Sequence, residues 1–391
     1  MPEVVFVDVW TPEVAPEIAA ARERGALLRS IADLVLERAG SRTIGITGTA
    51  GKTTTTAFTA QLLLATGAHV VVPEPGVSAN LWPDEPFLDG LGDDGLVLVE
   101  LTSSHLAFCS HSPRIAVVTS FWPDHVELHG SLEAYAHAKE AIVRAQAPDD
   151  WLVVPADGTC ERFVAATRAR TVRFSETDGV EDGAFVRGGR LVVRWQCEEH
   201  ELAAIDALPV RGELVSNVLA ACTAALAAGV PPEALAAGLE SLTLPPHRLV
   251  EVARVGGVPV VDDSMAGTPA KAAAALELYA DGSLVLVAGG ELEGAAGPVH
   301  ATPQEQALLA DACDLARRKA RRAVLFGAAA DVLSRLLPGS DSVGDIGQAL
   351  ERATALADGA AAILIAPMFP LAPEERASVP ELARQAAAAR S

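Results

Sequence analysis

The chain has 391 residues, half of them hydrophobic, with five cysteines and a formal net charge of −21. Its length exceeds one ordinary core and predicts two or three domains, and its acidity argues against nucleic acid or an anionic membrane surface as a partner. The cysteines include no CxxC pair, the N-terminus lacks a basic region and prolines interrupt the longest apolar run, so we expect a cytoplasmic protein without a disulfide framework, zinc site, signal peptide or membrane span.

The first strong element is Thr43–Thr56, with the sequence TIGITGTAGKTTTT. An apolar strand pattern stops at a glycine-rich turn and continues into a helix that begins at Lys52-Thr53, which is how a chain cradles a nucleotide triphosphate. Lys52 supplies a point charge for the phosphates, and the Thr53 hydroxyl is placed to bind Mg²⁺. Only two residues separate Gly48 from Gly51, so the segment departs from the strict consensus, and a plain strand–turn–helix crossover is the alternative.

Glu100 ends the apolar strand Leu96–Val99. The C-terminal ends of parallel strands face the ligand crevice of an open α/β sheet, so this carboxylate is expected beside the phosphate loop, where it could hold Mg²⁺. A solvated loop acid is the alternative.

The strand Ile115–Ser120 leads into Asp124-His125, which could be an orienting carboxylate with a metal-binding imidazole or a structural pair. A helix is then predicted from about Ser131, and its periodicity places Lys139 in the middle of an apolar face. Lys139 could extend its ammonium to water, or it could be a lysine of depressed pKa whose neutral amine is chemically modified.

Short apolar runs alternate with Ala- and Leu-rich helical patterns through the rest of the chain, and continuous apolar strands separated by helices are typical of parallel sheets covered on both faces. A small antiparallel excursion is predicted between Thr171 and Leu208, turning at Gly188-Gly189. A basic run, Arg317–Arg322, lies in a helical pattern and is interpreted as a solvated helix face. The best linker candidate lies at Leu244-Pro245-Pro246.

Five ordered segments resemble the Mur ligase superfamily, and in particular its glutamate-adding members. These are TGTAGKTTT, VELTSSHL, DHVELHGSLEAYAHAK, GELVSNVLAACTAAL, and PHRLVEV followed by VVDDS. The resemblance covers about residues 1–300 well and the remainder more loosely. It implies an α/β fold made of a P-loop parallel-sheet central domain (41–244), a C-terminal Rossmann-like domain (245–391) and a truncated N-terminal segment (1–40).

The resemblance also implies an ATP-dependent ligase that joins a carboxylate to an amine through an acyl phosphate, with ATP and Mg²⁺ as cofactors. Lys52, His125 and Lys139 would be catalytic, and Lys139 would match the lysine that the family carbamylates. Asn217 would contact adenine, Arg248 a phosphate from the C-terminal domain and Asp263 the ribose. The implied nucleotide-binding set is Gly48, Thr49, Gly51, Lys52, Thr53, Thr54, Asn217, Arg248 and Asp263, and the implied metal-binding set is Thr53, Glu100, His125 and Lys139.

The departures from the family pattern concern the substrates. Relatives carry a full N-terminal domain that holds a UDP moiety, whereas residues 1–40 resemble only its last part. On the amine side, relatives have DSKATN and GGxxK where this chain has DSMAGT and GGELE. A pocket that loses a lysine and gains Glu293 suits a neutral or basic amine better than a dicarboxylic amino acid.

We therefore predict a ligase for non-UDP small molecules in specialised metabolism, with a carboxylate and an amine as substrates, acting as a monomer or homodimer. One alternative is the addition of D-glutamate to UDP-N-acetylmuramoyl-L-alanine in peptidoglycan biosynthesis. There are two further alternatives. One is a nucleotide-binding partner protein without catalysis, and the other is a phosphotransferase that stops at the phosphorylated acid.

Overall fold

The computed structural model describes residues 3–8, 11–72, 95–122, 126–177, 179–212, 214–294, 297–298 and 303–390. The chain divides into two compact units, Met1–Thr243 and Leu244–Ser391. In this described part, no helix is both long enough and apolar enough to span a membrane.

The first unit is built on a parallel sheet with the strand order β4-β5-β3-β6-β7-β8. Its strands are β1 Val4–Phe6, β2 Leu27–Arg29, β3 Thr43–Thr47, β4 Val70–Val71, β5 Leu96–Glu100, β6 Ile115–Val118, β7 Trp151–Pro155, β8 Arg170–Phe174, β9 Gly183–Arg187, β10 Arg190–Trp195 and β11 Glu198–Ala204. Its helices are α1 Pro16–Glu23, α2 Ile31–Ala39, α3 Lys52–Ala65, α4 Ser103–Leu106, α5 Val126–His129, α6 Leu132–Arg144, α7 Glu161–Ala166, α8 Leu214–Ala227 and α9 Pro232–Glu240.

Helices cover both faces of this sheet, as its continuous apolar strands require. On one face α2 and α6 contribute Val35, Leu36 and Ile142 to a core shared with β5, β6 and β7. Helices α3 and α8 pack against each other and against the strands, and α8 is buried on nearly every side. β3 is fully buried at the centre, so the loop that follows it starts from a rigid position.

The second unit is a mixed sheet with the strand order β12-β13-β19-β14-β17-β18, in which the β12–β13 pair is antiparallel and the other pairs are parallel. Its elements are β12 Val250–Val255, β13 Val258–Asp262, α10 Pro269–Glu277, β14 Leu284–Gly289, β15 Glu293–Gly294, β16 Gly297–Pro298, α11 Pro303–Lys319, β17 Ala320–Phe326, α12 Ala330–Leu336, β18 Asp341–Ser342, α13 Ile346–Ala355, β19 Ala362–Met368 and α14 Pro373–Ala388. α10, α11 and α12 contribute to the core on one face, and α13 and α14 to the core on the other.

The α/β class and the helix after Ser131 are confirmed, and Ser131 is the N-cap of α6. The predicted antiparallel excursion is β9-β10-β11, with its first turn at Gly188-Gly189. It does not begin at Thr171, because β8 is the edge strand of the parallel sheet.

The prediction that the basic run 317–322 forms a solvated helix face is wrong. Helix α11 ends at Lys319, and Arg321 and Arg322 lie in β17. The Lys319 side chain is largely buried, where its ammonium donates to the Tyr279 carbonyl oxygen and approaches Glu277.

Candidate functional site

The glycine-rich loop joins the end of β3 to the start of α3, and its two glycines are required by close contacts. A Cβ on Gly48 would lie 1.9 Å from Thr119 Oγ1, and one on Gly51 would lie 2.3 Å from Asn217 Oδ1. Gly51 is also the N-cap of α3 in a left-handed conformation, with φ 82°, which glycine adopts without steric strain. The first N–H groups of α3 have no acceptor within the helix, and the helix dipole favours an anion there.

Residues that follow β6 hold this loop in shape. The N–H groups of Thr49 and Ala50 donate to the carbonyl oxygen and the hydroxyl of Ser120, at 3.0 and 2.9 Å. The Thr119 hydroxyl donates to the Ala50 carbonyl oxygen. Thr119 and Ser120 were not predicted as loop supports, because they reach the loop only through the adjacency of β6 and β3.

Two lysine ammonium groups meet at one oxygen of the loop. Lys52 Nζ donates to the carbonyl oxygens of Gly48 (2.9 Å) and Thr49 (3.2 Å). Lys139 Nζ, on α6, also donates to the Gly48 carbonyl oxygen (2.9 Å) and to Thr47 Oγ1 (3.2 Å). The loop therefore carries two positive charges in close proximity, which favours an anionic ligand.

Lys139 is only 2% exposed, so the interpretation that its ammonium extends to water is wrong. Its Nζ lies 5.2 Å from the centroid of the Tyr135 ring, within the range of a cation–π interaction. The Tyr135 hydroxyl is hydrogen-bonded to Thr49 Oγ1 (3.0 Å), so one turn of α6 contacts the loop at two points. These contacts hold Lys139 Nζ against the loop inside the protein.

Three of the predicted magnesium-binding residues, Thr53, Glu100 and Lys139, lie beside the same loop. Glu100 is half-buried at the end of β5, where its Cα pairs in register with that of Ile46. Thr53 is half-buried and Thr54 is buried in the first turn of α3. His125 and its neighbour Asp124 lie outside the described residues.

Glu100 and Thr53 fit Mg²⁺ by chemistry, because this ion takes oxygen ligands and is usually held by one or two carboxylates together with waters and substrate phosphates. Over the described ranges, no group of three or more His, Cys, Asp or Glu side chains forms a cage for a metal ion.

Asn217 is brought to the loop from α8. Its Oδ1 accepts a hydrogen bond of 3.1 Å from the Thr55 hydroxyl in α3, and the side chain is 8% exposed. The carboxamide thus lies beside Gly51 and the first turn of α3. Its contact with adenine remains a prediction.

In the second unit, Arg248 and Asp263 lie at the end of the sheet where β12 begins and β13 ends. Arg248 lies between two residues with left-handed backbones, His247 (φ 61°) and Leu249 (φ 52°). His247 Nδ1 donates to the buried carboxylate of Asp262 (2.8 Å). Asp263 is 5% exposed, and its charge adds to the burial that raises the pKa of Tyr279.

Comparisons with known proteins give the family. Residues 46–225 match the model of the Mur ligase middle domain. The UDP-N-acetylmuramoylalanine–D-glutamate ligase of Solibacter usitatus is 31% identical over 332 residues, which cover 84% of this chain and 70% of that protein. The chain belongs to the Mur ligase family.

The chain is also 38% identical, over 297 residues, to the UDP-N-acetylmuramoylalanine–D-glutamate ligase of Symbiobacterium thermophilum, and the match covers 75% of this chain and 64% of that relative. The chain thus spans a little under two thirds of the length of several relatives. The MurF ligase of Thermotoga maritima, solved in complex with ADP, shares its fold with a TM-score of 0.66 at 16% identity, covering 100% of this chain and 96% of that chain. The folylpolyglutamate synthase of Mycobacterium tuberculosis, solved with ADP and AMPPCP, has a TM-score of 0.63 at 18% identity, covering 90% and 95%.

Proposed function

We propose that this Mur ligase joins a small carboxylate to an amine in the cytoplasm, using ATP and Mg²⁺. The observation that carries the proposal is the glycine-rich turn at the start of α3, where Lys52 Nζ lies 2.9 Å from the Gly48 carbonyl oxygen. A glycine-rich turn before a helix, charged in this way, is suited to a nucleotide triphosphate. The similarity to UDP-N-acetylmuramoylalanine–D-glutamate ligases supports the same reaction class.

In the proposed reaction, a carboxylate oxygen attacks the γ-phosphorus of ATP, the bond from that phosphorus to the β–γ bridging oxygen breaks, and ADP leaves. The amine nitrogen then attacks the carbonyl carbon of the acyl phosphate and loses a proton, and phosphate departs as the amide forms. Since Thr49 and Ala50 already donate their N–H groups to Ser120, the N–H groups in the first turn of α3 are the proposed phosphate donors, together with Lys52.

Thr53 and Glu100 are the proposed ligands of one Mg²⁺, and His125 with Lys139 the proposed support of a second. Bound magnesium would neutralise charge on the transferred phosphoryl group and align its acceptor. Carbamylation would convert Lys139 into an anion that can serve this role: Nζ forms a bond to the carbon of CO₂ and releases a proton. Asn217, Arg248 and Asp263 remain proposed contacts for adenine, phosphate and ribose, and the domain boundaries 1–40, 41–244 and 245–391 remain a proposal as well.

A neutral or basic amine is supported by the charges at the end of β14. Burial raises the pKa of Glu375 above its usual value, and the charges of Glu291 and Asp345 raise it further. An incoming dicarboxylic amino acid would add like charge at this place. We therefore propose a non-UDP carboxylate and a neutral or basic amine as substrates.

The test is a screen of carboxylate and amine pairs with the full chain, ATP and MgCl₂, followed by phosphate release and product mass. ADP release that requires a carboxylate, and an amide that requires both partners, are the expected results. Hydrolysis of ATP that is indifferent to every carboxylate and amine would contradict the proposal.

The second candidate function is the addition of D-glutamate to UDP-N-acetylmuramoyl-L-alanine, which the names of the relatives favour. The screen therefore includes that pair, and its preferred use would replace our choice of substrates. ATP binding without ADP release for any pair would favour a non-catalytic partner protein.

A further inference from the structure

Two partly buried arginine side chains of the second unit have no protein partner within the described residues. Arg248 lies just before β12, and Arg376 lies in the first turn of α14, which packs against β12. Neither guanidinium makes a hydrogen bond or an ion pair with any described residue, and Arg248 Nε is buried from solvent. A buried donor without an acceptor is disfavoured and requires an explanation.

Other partly buried arginines of this acidic chain are paired. Arg29 contacts Asp33 and Glu37, and Arg162 contacts Glu133 and Glu140. With a formal net charge of −21, carboxylates are abundant. The two unpaired arginines are therefore exceptions to the pattern of the molecule.

The two guanidinium groups interact electrostatically, and the elements that carry or precede them pack against each other. Burial lowers the pKa of Arg376 below its usual value, and the charge of Arg248 lowers it further while Asp262 opposes the change. Asp262 is already engaged, because one of its oxygens accepts from His247 Nδ1 and the other from the Ser264 N–H at 2.9 Å. In the described part of the chain, the charges of Arg248 and Arg376 thus have only the Asp262 carboxylate near them, and that carboxylate accepts its hydrogen bonds from His247 and Ser264.

The backbone supports a functional reason for this arrangement. His247 and Leu249, on either side of Arg248, both adopt left-handed conformations, which are strained for residues other than glycine. The Asp262–His247 hydrogen bond and the bond from the Met265 N–H to the His247 carbonyl oxygen hold this strained turn. The site also lies at the C-terminal edge of parallel strands β13 and β19, the usual ligand edge of an open α/β sheet.

We propose that Arg376 and Arg248 together bind one phosphoryl group, with Arg376 as a second phosphate ligand of the C-terminal unit. Guanidinium groups form paired hydrogen bonds with phosphate oxygens, and a dianion balances two positive charges better than a carboxylate does. The assignment of that anion to the transferred or released phosphate rests on the proposed function.

The experiment measures binding of inorganic phosphate to the full chain by calorimetry at fixed ionic strength. The Lys52→Met variant is the parent, because it weakens the competing phosphate loop. Arg376→Ala is expected to lower the affinity about tenfold, and Arg376→Lys by less, since a lysine keeps the charge but loses the planar fork. Acetate at the same ionic strength should not compete with phosphate.

The matched control is Arg384→Ala, which removes an exposed arginine of the same helix that is paired with Glu381 and should leave phosphate affinity unchanged. If Arg376→Ala does not fold, Arg376→Gln keeps the apolar stem and carries the same expectation. Unchanged phosphate affinity in the Arg376 variants, competition by acetate as strong as by phosphate, or no phosphate binding by the parent would overturn the proposal. Binding needs no turnover, so phosphate affinity that depends on Arg376, combined with no ligase activity of the unchanged chain in the substrate screen, would contradict the proposed function alone.

Discussion

The two units each hold a pair of cationic side chains, and the pairs differ in how their donors are satisfied. Lys52 and Lys139 donate to carbonyl and hydroxyl oxygens of their own loop, whereas Arg248 and Arg376 have no such acceptor in the described part of the chain. The lysine pair is therefore positioned by the protein before any ligand binds. The arginine pair leaves its hydrogen-bonding capacity for a ligand, and a buried unsatisfied donor destabilises a protein by about 1–3 kcal/mol.

The largest expected effect is at Lys52. Lys52→Met removes one of the two charges that meet at the Gly48 carbonyl oxygen, and we expect ATP turnover to fall about 10²- to 10³-fold, the usual loss for one electrostatic contact to a reacting group. The affinity for a fluorescent ATP analogue should fall as well.

Lys271→Met is the control for this change, because Lys271 lies on α10 in the second unit. If the Lys52→Met variant keeps its ATP turnover and its nucleotide affinity within about twofold of the unchanged protein, Lys52 does not bind phosphates.

Lys139→Ala tests the other half of the lysine pair. Activity should fall about 10²-fold, and acetate or formate should restore part of it if a carbamate anion is the working form. Labelled bicarbonate should give a carbamate NMR signal in the unchanged protein and none in the variant.

Lys319→Ala is the matched variant, since Lys319 is also a largely buried lysine that donates to a backbone carbonyl oxygen. Acetate should have no effect on it. If acetate leaves Lys139→Ala as inactive as before and no carbamate signal is found, carbamylation is ruled out as the role of this lysine.

The sequence was sufficient for the lysine pair but not for the arginine pair. Gly-Lys-Thr after an apolar strand predicted the loop, and the apolar stripe of α6 marked Lys139 as unusual because a buried ammonium needs acceptors. Arg376 gave no signal, because an arginine in a first helical turn is ordinary until its lack of partners is seen.

The supports of both pairs were also invisible to sequence patterns. Thr119 and Ser120 meet the loop only because β6 lies beside β3, and strand order does not follow from local periodicity. The left-handed turn around Arg248 depends on contacts with Asp262 and Met265, and residues other than glycine rarely reveal such a conformation.

Gly51→Ala and Gly67→Ala compare the two ends of α3 at nearly the same backbone angle. Their φ values are 82° and 77°, but a Cβ at Gly51 would lie 2.3 Å from Asn217 Oδ1, whereas one at Gly67 would meet nothing within 4 Å. Both variants should lose about 1–2 kcal/mol of unfolding free energy from backbone strain, and only Gly51→Ala should lose about 1–3 kcal/mol more as the buried Asn217–Thr55 hydrogen bond is disturbed.

Chemical denaturation and ATP-analogue binding measure this pair of variants. Gly67→Ala should bind nucleotide like the unchanged protein. Equal losses of stability and affinity in both variants would mean that the contact with Asn217 does not shape the loop.

The smallest expected effect is the pH dependence of the unfolding free energy through His105, and variants of either cationic pair must be compared at one pH because of it. His105 is buried in α4, and burial lowers its pKa from 6.5 to about 4, an effect that the charge of Asp8 opposes. Its Nδ1 accepts from the Thr102 N–H in a capping box, which requires the neutral ring. Between pH 6.5 and 4 the unfolded chain binds the proton more readily than the folded one, so this contribution is complete above pH 6.5 and is lost as the pH falls. The loss of unfolding free energy from pH 6 to pH 5 should be about 1 kcal/mol.

His105→Gln keeps a capping side chain that does not titrate, so the unfolding free energy of this variant should fall less steeply over the same interval. Parallel pH profiles of the two proteins would show that His105 is not the group responsible.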